Sequence, residues 1–227
     1  MLIVPARLNR NSPDVQQMAP PADTGLWLIE YMCERIGIAN LTGLDVLDLG
    51  CGVRFADAIV NRAIALNSYV GIEVEREIVD FLTDNCTDPR LSFVHFDVRH
   101  SIYNPGGRKL RDDTVLPVNQ NMFDVICMFS VITHQIPEDA RALLTVLRRH
   151  VRDSGRLFFS ATVEEGDFGY REMFPETPTA NSVYTLALLT QIVEAAGWRI
   201  LSVAGQHPRG IPIQDSILCE PALCRPA

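Results

Sequence analysis

The chain has 227 residues, 47% of them hydrophobic, with a formal net charge of −8 and a pI near 5.1. That fits one domain around one core, and no dense block of Lys and Arg offers a footprint for a phosphate backbone, so a nucleic-acid partner is disfavoured. The six cysteines (33, 51, 86, 127, 219 and 224) form no C-x-x-C pair, Met1-Leu2-Ile3-Val4-Pro5 is too short an apolar run for a signal peptide, and no later stretch could span a bilayer, so the expectation is a soluble cytoplasmic protein with reduced thiols and no metal site.

Residues 1–22, rich in Pro, Asn and Gln, read as an irregular arm ahead of a single domain over 23–227. Asp23 offers a helix N-cap, Leu26, Trp27, Glu30, Tyr31, Glu34 and Arg35 follow at amphipathic spacing, and Gly37 supplies a stop. Strand-like runs are predicted near 45–49, 69–73, 92–97, 123–129, 156–163, 198–204 and 215–220, with helices near 55–66, 75–85, 138–152 and 185–196. Their alternation predicts βαβ units with right-handed crossovers, hence an α/β doubly wound, mostly parallel seven-stranded sheet. The connection Gln206 to Pro212 leaves no room for a crossover helix. The last two strands are therefore expected to be antiparallel neighbours, with one reversed strand near the edge. Residues 99–121 form an unusually long loop, of a length often used as a lid or binding surface.

The most informative run is Val46-Leu47-Asp48-Leu49-Gly50-Cys51-Gly52, followed by Tyr69-Val70-Gly71-Ile72-Glu73. It reads as a buried strand, a glycine turn, a helix, and a second strand ending in a carboxylate. Open α/β sheets bind nucleosides at such strand ends, where glycines admit the ligand and an acid accepts from a ribose diol. A dinucleotide fingerprint needs a third glycine where this chain has Phe55, which argues against a nicotinamide or nucleotide-sugar enzyme. Asp48 would repel a pyrophosphate and suits a ligand bearing an ammonium group.

Asp48-x-Gly50-x-Gly52 resembles the first motif of the class I S-adenosylmethionine-dependent methyltransferases, over roughly residues 44–204, with Arg54 where that family usually has a further glycine. The resemblance implies a Rossmann-like methyltransferase fold with S-adenosyl-L-methionine as cofactor. The turn at Asp48, Gly50, Cys51 and Gly52 would hold the methionine portion and Glu73 the ribose. Asp97 would accept from the adenine amino group, Val98 would offer it a backbone N–H, and Phe129 would lie near the methylsulfonium. Phe123-Asp124 opening an apolar strand looks like the family's fourth motif, and the turn after it brings His134 towards the transferring methyl. His134 is read as general base for a hydroxyl acceptor, with substrate positioning or a structural role as the alternatives. Phe129-Ser130-Val131-Ile132 stands where relatives that act on base or amide nitrogens often carry an Asn/Asp-Pro-Pro-aromatic turn, which speaks against nucleic-acid work. Tyr103-Asn104-Pro105-x-Gly107, Ser130-Val131-x-Thr133-His134 and Gln214-Asp215 resemble a branch of uncharacterised or glycan-associated bacterial small-molecule methyltransferases. Tyr103, Tyr170, Arg171 and Tyr184 are the candidates for substrate contact. The preferred activity is methyl transfer to a small-molecule hydroxyl, with a sugar or glycolipid precursor as one candidate acceptor. A proximity-driven N-methyltransferase and a non-catalytic cofactor-binding scaffold are the rivals.

Overall fold

The computed structural model describes residues 1–205 and 214–222. The connection from Gln206 to Pro212 and Cys224, both read above, lie outside the described residues. Two helices come first, α1 (Pro13–Met18) and α2 (Pro21–Ile36). Then follow β1 (Asp45–Leu49), α3 (Arg54–Asn61), β2 (Ser68–Glu73), α4 (Arg76–Asn85), β3 (Leu91–His95) and β4 (Phe123–Met128). The chain continues through α5 (Pro137–Arg148), β5 (Val151–Val163), a short ribbon of β6 (Tyr170–Glu172) and β7 (Ser182–Tyr184), α6 (Leu186–Ala195), β8 (Trp198–Ala204) and β9 (Asp215–Pro221).

β3, β2, β1, β4 and β5 lie side by side in that order, all parallel. β9 pairs antiparallel with both β5 and β8, so one reversed strand sits just inside the edge, as expected. Side chains alternate across the sheet, as the two-residue period of a strand requires. Leu47, Leu49, Ile72, Ile126, Met128, Leu157 and Phe159 face one core shared with Leu143, Leu147 and Val193 of α5 and α6. Val46, Tyr69, Val125, Cys127 and Phe158 face the other, against Leu28, Met32, Ala58, Ile59 and Leu82 of α2, α3 and α4. The chain winds outward from β1 to β3, then returns to lay β4 on the other side of β1. That reversal opens a crevice beyond the carboxyl ends of β1 and β4, where such sheets take ligands.

Four expectations are corrected. The 1–22 segment is not irregular throughout: it carries α1, and Leu2 and Leu8 are buried in the second core. α2 starts at Pro21 rather than after Asp23, because Pro21 takes a first-turn position for which its ring presets φ; Asp23 instead pairs with Arg62 at 2.6 Å. The helix predicted to reach residue 66 stops at Asn61, where Ala63 turns left-handed (φ 52°) and Ile64 N–H donates to Ile59 O. The helix predicted to reach 152 stops at Arg148, because Val151 already pairs with Phe123 in the sheet, and β5 runs from there through Ser154 and Gly155. The β6–β7 ribbon was missed because three-residue strands carry no readable period. Among the described residues, no helix is long and apolar enough to cross a membrane.

Candidate functional site

A cavity of about 410 Å³ opens at the carboxyl ends of β1 to β4. Its floor is the turn leaving β1. Gly50 N–H and Cys51 N–H both donate to Ile72 O (2.8 and 3.1 Å), which clamps the turn onto β2. Gly50 is left-handed at φ 74°, and a Cβ there would sit 2.4 Å from Val131 Cγ2. Gly52 is left-handed at φ 49°, and a Cβ would meet nothing within 4 Å. The first glycine therefore serves packing against the exit of β4, and the second leaves open space.

Glu73 ends β2 and is fixed by backbone. Its Oε2 accepts from Gly52 N–H at 3.0 Å, and its Oε1 accepts from Val74 N–H and Glu75 N–H at 2.7 and 3.1 Å. Burial pushes its pKa up while those three donors pull it down. The carboxylate lines the cavity in a single orientation, with acceptor capacity left on the open side.

Asp48 does not line the cavity. Strand alternation turns its side chain to the α2–α4 face beside Val46, where it is 3% exposed and accepts from Tyr69 OH at 2.8 Å. Burial pushes its carboxyl up to about 7, opposed by Tyr69, Cys127 and the Arg54 guanidinium. Arg54 opens α3 and lines the cavity; burial pulls its own pKa down to about 10, with Asp48 opposing. The arginine accompanies the glycine turn and leaves the cavity open. Cys51 lines the cavity and Phe55, at the excluded third-glycine position, packs on Phe129 at 5.4 Å between ring centroids.

At the end of β3 the side chains at the cavity are Phe96 and Val98, not Asp97. The Asp97 carboxylate turns into the following loop, accepting from Asn104 Nδ2 at 3.1 Å and pairing with Arg108 at 3.7 Å. Val98 N–H, expected to be free, donates to Phe96 O at 2.7 Å. Both differences have one cause: the chain kinks straight after β3 to begin the long loop, and its polar groups are used in that kink.

The exit of β4 is held by a small network. Ser130 adopts a left-handed φ of 57°, a conformation that costs a non-glycine residue about 1–2 kcal/mol. Its N–H donates to Ser160 Oγ at 2.8 Å, and Gln214 bonds both serine hydroxyls at 2.6–3.2 Å. Phe129, Ser130, Val131 and Gln214 all line the cavity.

His134 closes the short 3₁₀ turn after β4 and lines the cavity. Its Nδ1 lies 2.9 Å from Thr179 O. A carbonyl only accepts, so Nδ1 carries the proton and Nε2 of the neutral ring is a free acceptor. Thr179 is itself left-handed (φ 61°), anchored by its N–H to Glu172 Oε2 at 2.8 Å and by its hydroxyl to Ser101. Beside His134 stand His100 and Tyr103, with ring centroids 5.8 and 6.1 Å away. Arg10 lies over the Tyr103 ring at 5.8 Å and pairs with Glu75, so the N-terminal segment walls the cavity from the outside.

Tyr103 is thus the one of the four expected substrate-contact residues that lines the cavity. Tyr184 is fully buried, packs on Tyr170 and donates its hydroxyl to Gln135 O at 2.5 Å. Tyr170 donates to Glu172, and its own pKa is pushed up to about 12, mainly by burial. Arg171 pairs with Glu164 and stacks on Phe168. These three build the ribbon rather than the pocket. Sequence reasoning missed Arg10, His100 and Thr179. The first two are single polar residues in irregular chain, and the third acts through its carbonyl, which no residue type announces. Among the described residues, no group of three or more His, Cys, Asp or Glu is gathered as metal ligands.

A family described as "methyltransferase domain" matches residues 10–203. Solved structures share the fold. The 1,6-didemethyltoxoflavin-N1-methyltransferase of Burkholderia thailandensis, solved with 1,6-didemethyltoxoflavin and S-adenosylhomocysteine, superposes at a TM-score of 0.59 and 15% identity, over 92% of this chain and 81% of that one. An S-adenosylmethionine-dependent methyltransferase from Mesorhizobium loti superposes at 0.57 and 15% identity, over 85% and 97%. The [4+2]-cyclase SpnF superposes at 0.59 and 17% identity, over 86% and 80%. A cyclase among these neighbours means that likeness of fold does not name a reaction, which has to be argued from side chains.

Proposed function

The chain belongs to the methyltransferase-domain family, and from that premise we propose that it methylates a hydroxyl oxygen of a small-molecule acceptor, with His134 as general base. S-adenosylmethionine is the methyl donor: bound, it supplies an electrophilic methyl on a sulfonium and leaves as the neutral thioether. The cavity fits it on three counts. Its volume of about 410 Å³ suits a nucleoside joined to an amino acid, Gly52 leaves open space at the turn, and Glu73 presents a rigid carboxylate for a ribose diol. In this reading the Gly50-Cys51-Gly52 turn and Arg54 hold the amino-acid end, and Phe96, Val98 and Phe129 flank the purine and the reacting centre. Arg54 would meet the amino-acid carboxylate, while Asp48, hydrogen-bonded to Tyr69 in the core, does not reach the ammonium group it was expected to meet.

The observation that carries the base assignment is the bond from His134 Nδ1–H to Thr179 O. It commits the ring to accept at Nε2, which is what a base needs when an acceptor hydroxyl loses its proton as the new oxygen–carbon bond forms. The demand on the base is moderate, since alignment of the two reactants supplies much of the rate. The test is transfer of radiolabelled methyl to small molecules of a cell extract. Label is expected in a methyl ether with the wild-type protein and largely lost with His134→Gln. Label on nitrogen, or undiminished transfer by the variant, would refute the reading.

A further inference from the structure

His134 has a neighbour of opposite hydrogen-bonding sense. His100 Nδ1 accepts the backbone N–H of both Ile102 and Tyr103, each at 3.2 Å. A nitrogen that receives two N–H groups carries no proton, so the proton of this ring sits on Nε2. The loop sets that geometry firmly: His100 and Asn104 exchange both backbone hydrogen bonds (3.0 and 3.1 Å), and Asn104 Nδ2 also bonds Val98 O at 3.1 Å. Burial, and after it His134, pull the His100 pKa down to about 4, so the ring stays neutral at ordinary pH. Both imidazoles line the cavity, and neither Nε2 bonds any described residue. Tyr103 backs the pair, 4.8 Å from His100. The cavity wall therefore offers one hydrogen-bond acceptor and one donor on rings whose centroids are 5.8 Å apart.

We infer that the acceptor carries two neighbouring oxygens: the hydroxyl to be methylated, which donates to His134 Nε2, and an oxygen on the adjacent carbon, a carbonyl or second hydroxyl, which accepts from His100 Nε2–H. Two hydrogen bonds of about 2.8 Å and the separation of two adjacent oxygens bridge such a pair of rings. A single oxygen serving both rings is the poorer solution. A donor on the nucleophilic oxygen would draw electron density from the atom that must attack carbon and lower its reactivity. The donor is useful one atom along, where it fixes which hydroxyl faces the base. A buried donor left without a partner also penalises acceptors that lack the second oxygen. The inference rests on the reading of His134 as base, and its tests separate the two.

Long-range ¹H–¹⁵N spectra of the histidine-labelled protein, assigned with His100→Gln and His134→Gln, read both tautomers without any substrate. Nε2–H at His100 and Nδ1–H at His134 are expected at neutral pH. The other tautomer at His100 overturns this inference alone, and the other tautomer at His134 overturns the base and the inference with it. The second test is the structure of the labelled product from the extract reaction. A methylated oxygen beside another oxygen-bearing carbon supports the inference, and an isolated methylated oxygen overturns it while leaving the base assignment. Label on nitrogen, or no labelled product while S-adenosylhomocysteine binds, overturns both. With the acceptor in hand, His100→Phe should lower kcat/KM by ~10-fold or more and erase the preference over an analogue lacking the second oxygen, while affinity for S-adenosylhomocysteine is unchanged. His100→Gln, which keeps a side-chain N–H, should retain part of that preference.

Discussion

On the β1–β2 side of the cavity the polar groups answer one another across short stretches of chain. Gly52 N–H meets Glu73, 21 residues on, and Glu73 is otherwise held by its own next two N–H groups. On the β4 side His134 reaches to Thr179, 45 residues on, and Ser130 reaches to Gln214, 84 residues on. The near side is backbone bonded to backbone or to one fixed carboxylate. The far side is side chains steadied by other loops. A ligand common to many acceptors suits the rigid side, and the part that must differ from one acceptor to the next is built from segments that can change without disturbing the sheet.

From that contrast, substitutions on the rigid side should cost stability or cofactor affinity, and those on the far side should cost turnover. The largest stability effect is expected for Gly50→Ala. Its Cβ would lie 2.4 Å from Val131 Cγ2 in a left-handed backbone. Overpacking of about 1–3 kcal/mol adds to a conformational cost of about 1–2 kcal/mol, and urea denaturation should read a loss of about 3 kcal/mol. Gly52→Ala shares the backbone penalty without the clash and should lose only about 1 kcal/mol. Equal losses would break the assignment of the two glycines to different tasks. On the far side, His134→Gln should lower turnover at least ~100-fold with the unfolding midpoint nearly unmoved, in single-turnover methyl transfer. Glu73→Ala should weaken S-adenosylhomocysteine binding by about 1–3 kcal/mol in calorimetry, since charge-assisted hydrogen bonds to a diol are lost.

The same contrast explains what could be read in advance. Gly50, Cys51, Gly52 and Glu73 reach the cavity as expected because each sits at a strand end whose direction the βαβ pattern dictates. Phe129 and His134 do so because β4 is parallel to β1 and must point its exit at the same edge. Asp48 turns away from the cavity for a reason of geometry: one residue earlier in a strand means the opposite face or the interior, and this acid is hydrogen-bonded to Tyr69 in the core. Val98 reaches the cavity by its side chain, but its N–H and the Asp97 carboxylate do not, because the chain kinks after β3 and the loop takes up both polar groups. Tyr184 was read as a pocket residue and is core, its aromatic ring being worth more buried against Tyr170 than exposed.

By itself the sequence determined the sheet and its winding, the reversed strand, and a glycine turn paired with an acid, since these follow from local periodicity and from chirality rules that act residue by residue. Only the tertiary structure decided which polar groups face the cavity and which tautomers His100 and His134 hold. Those depend on partners such as Thr179 O and the N–H groups of Ile102 and Tyr103, whose orientation is set by how distant loops pack together. A backbone carbonyl is the same in every residue, so its use as an orienting group leaves no mark in the amino-acid order.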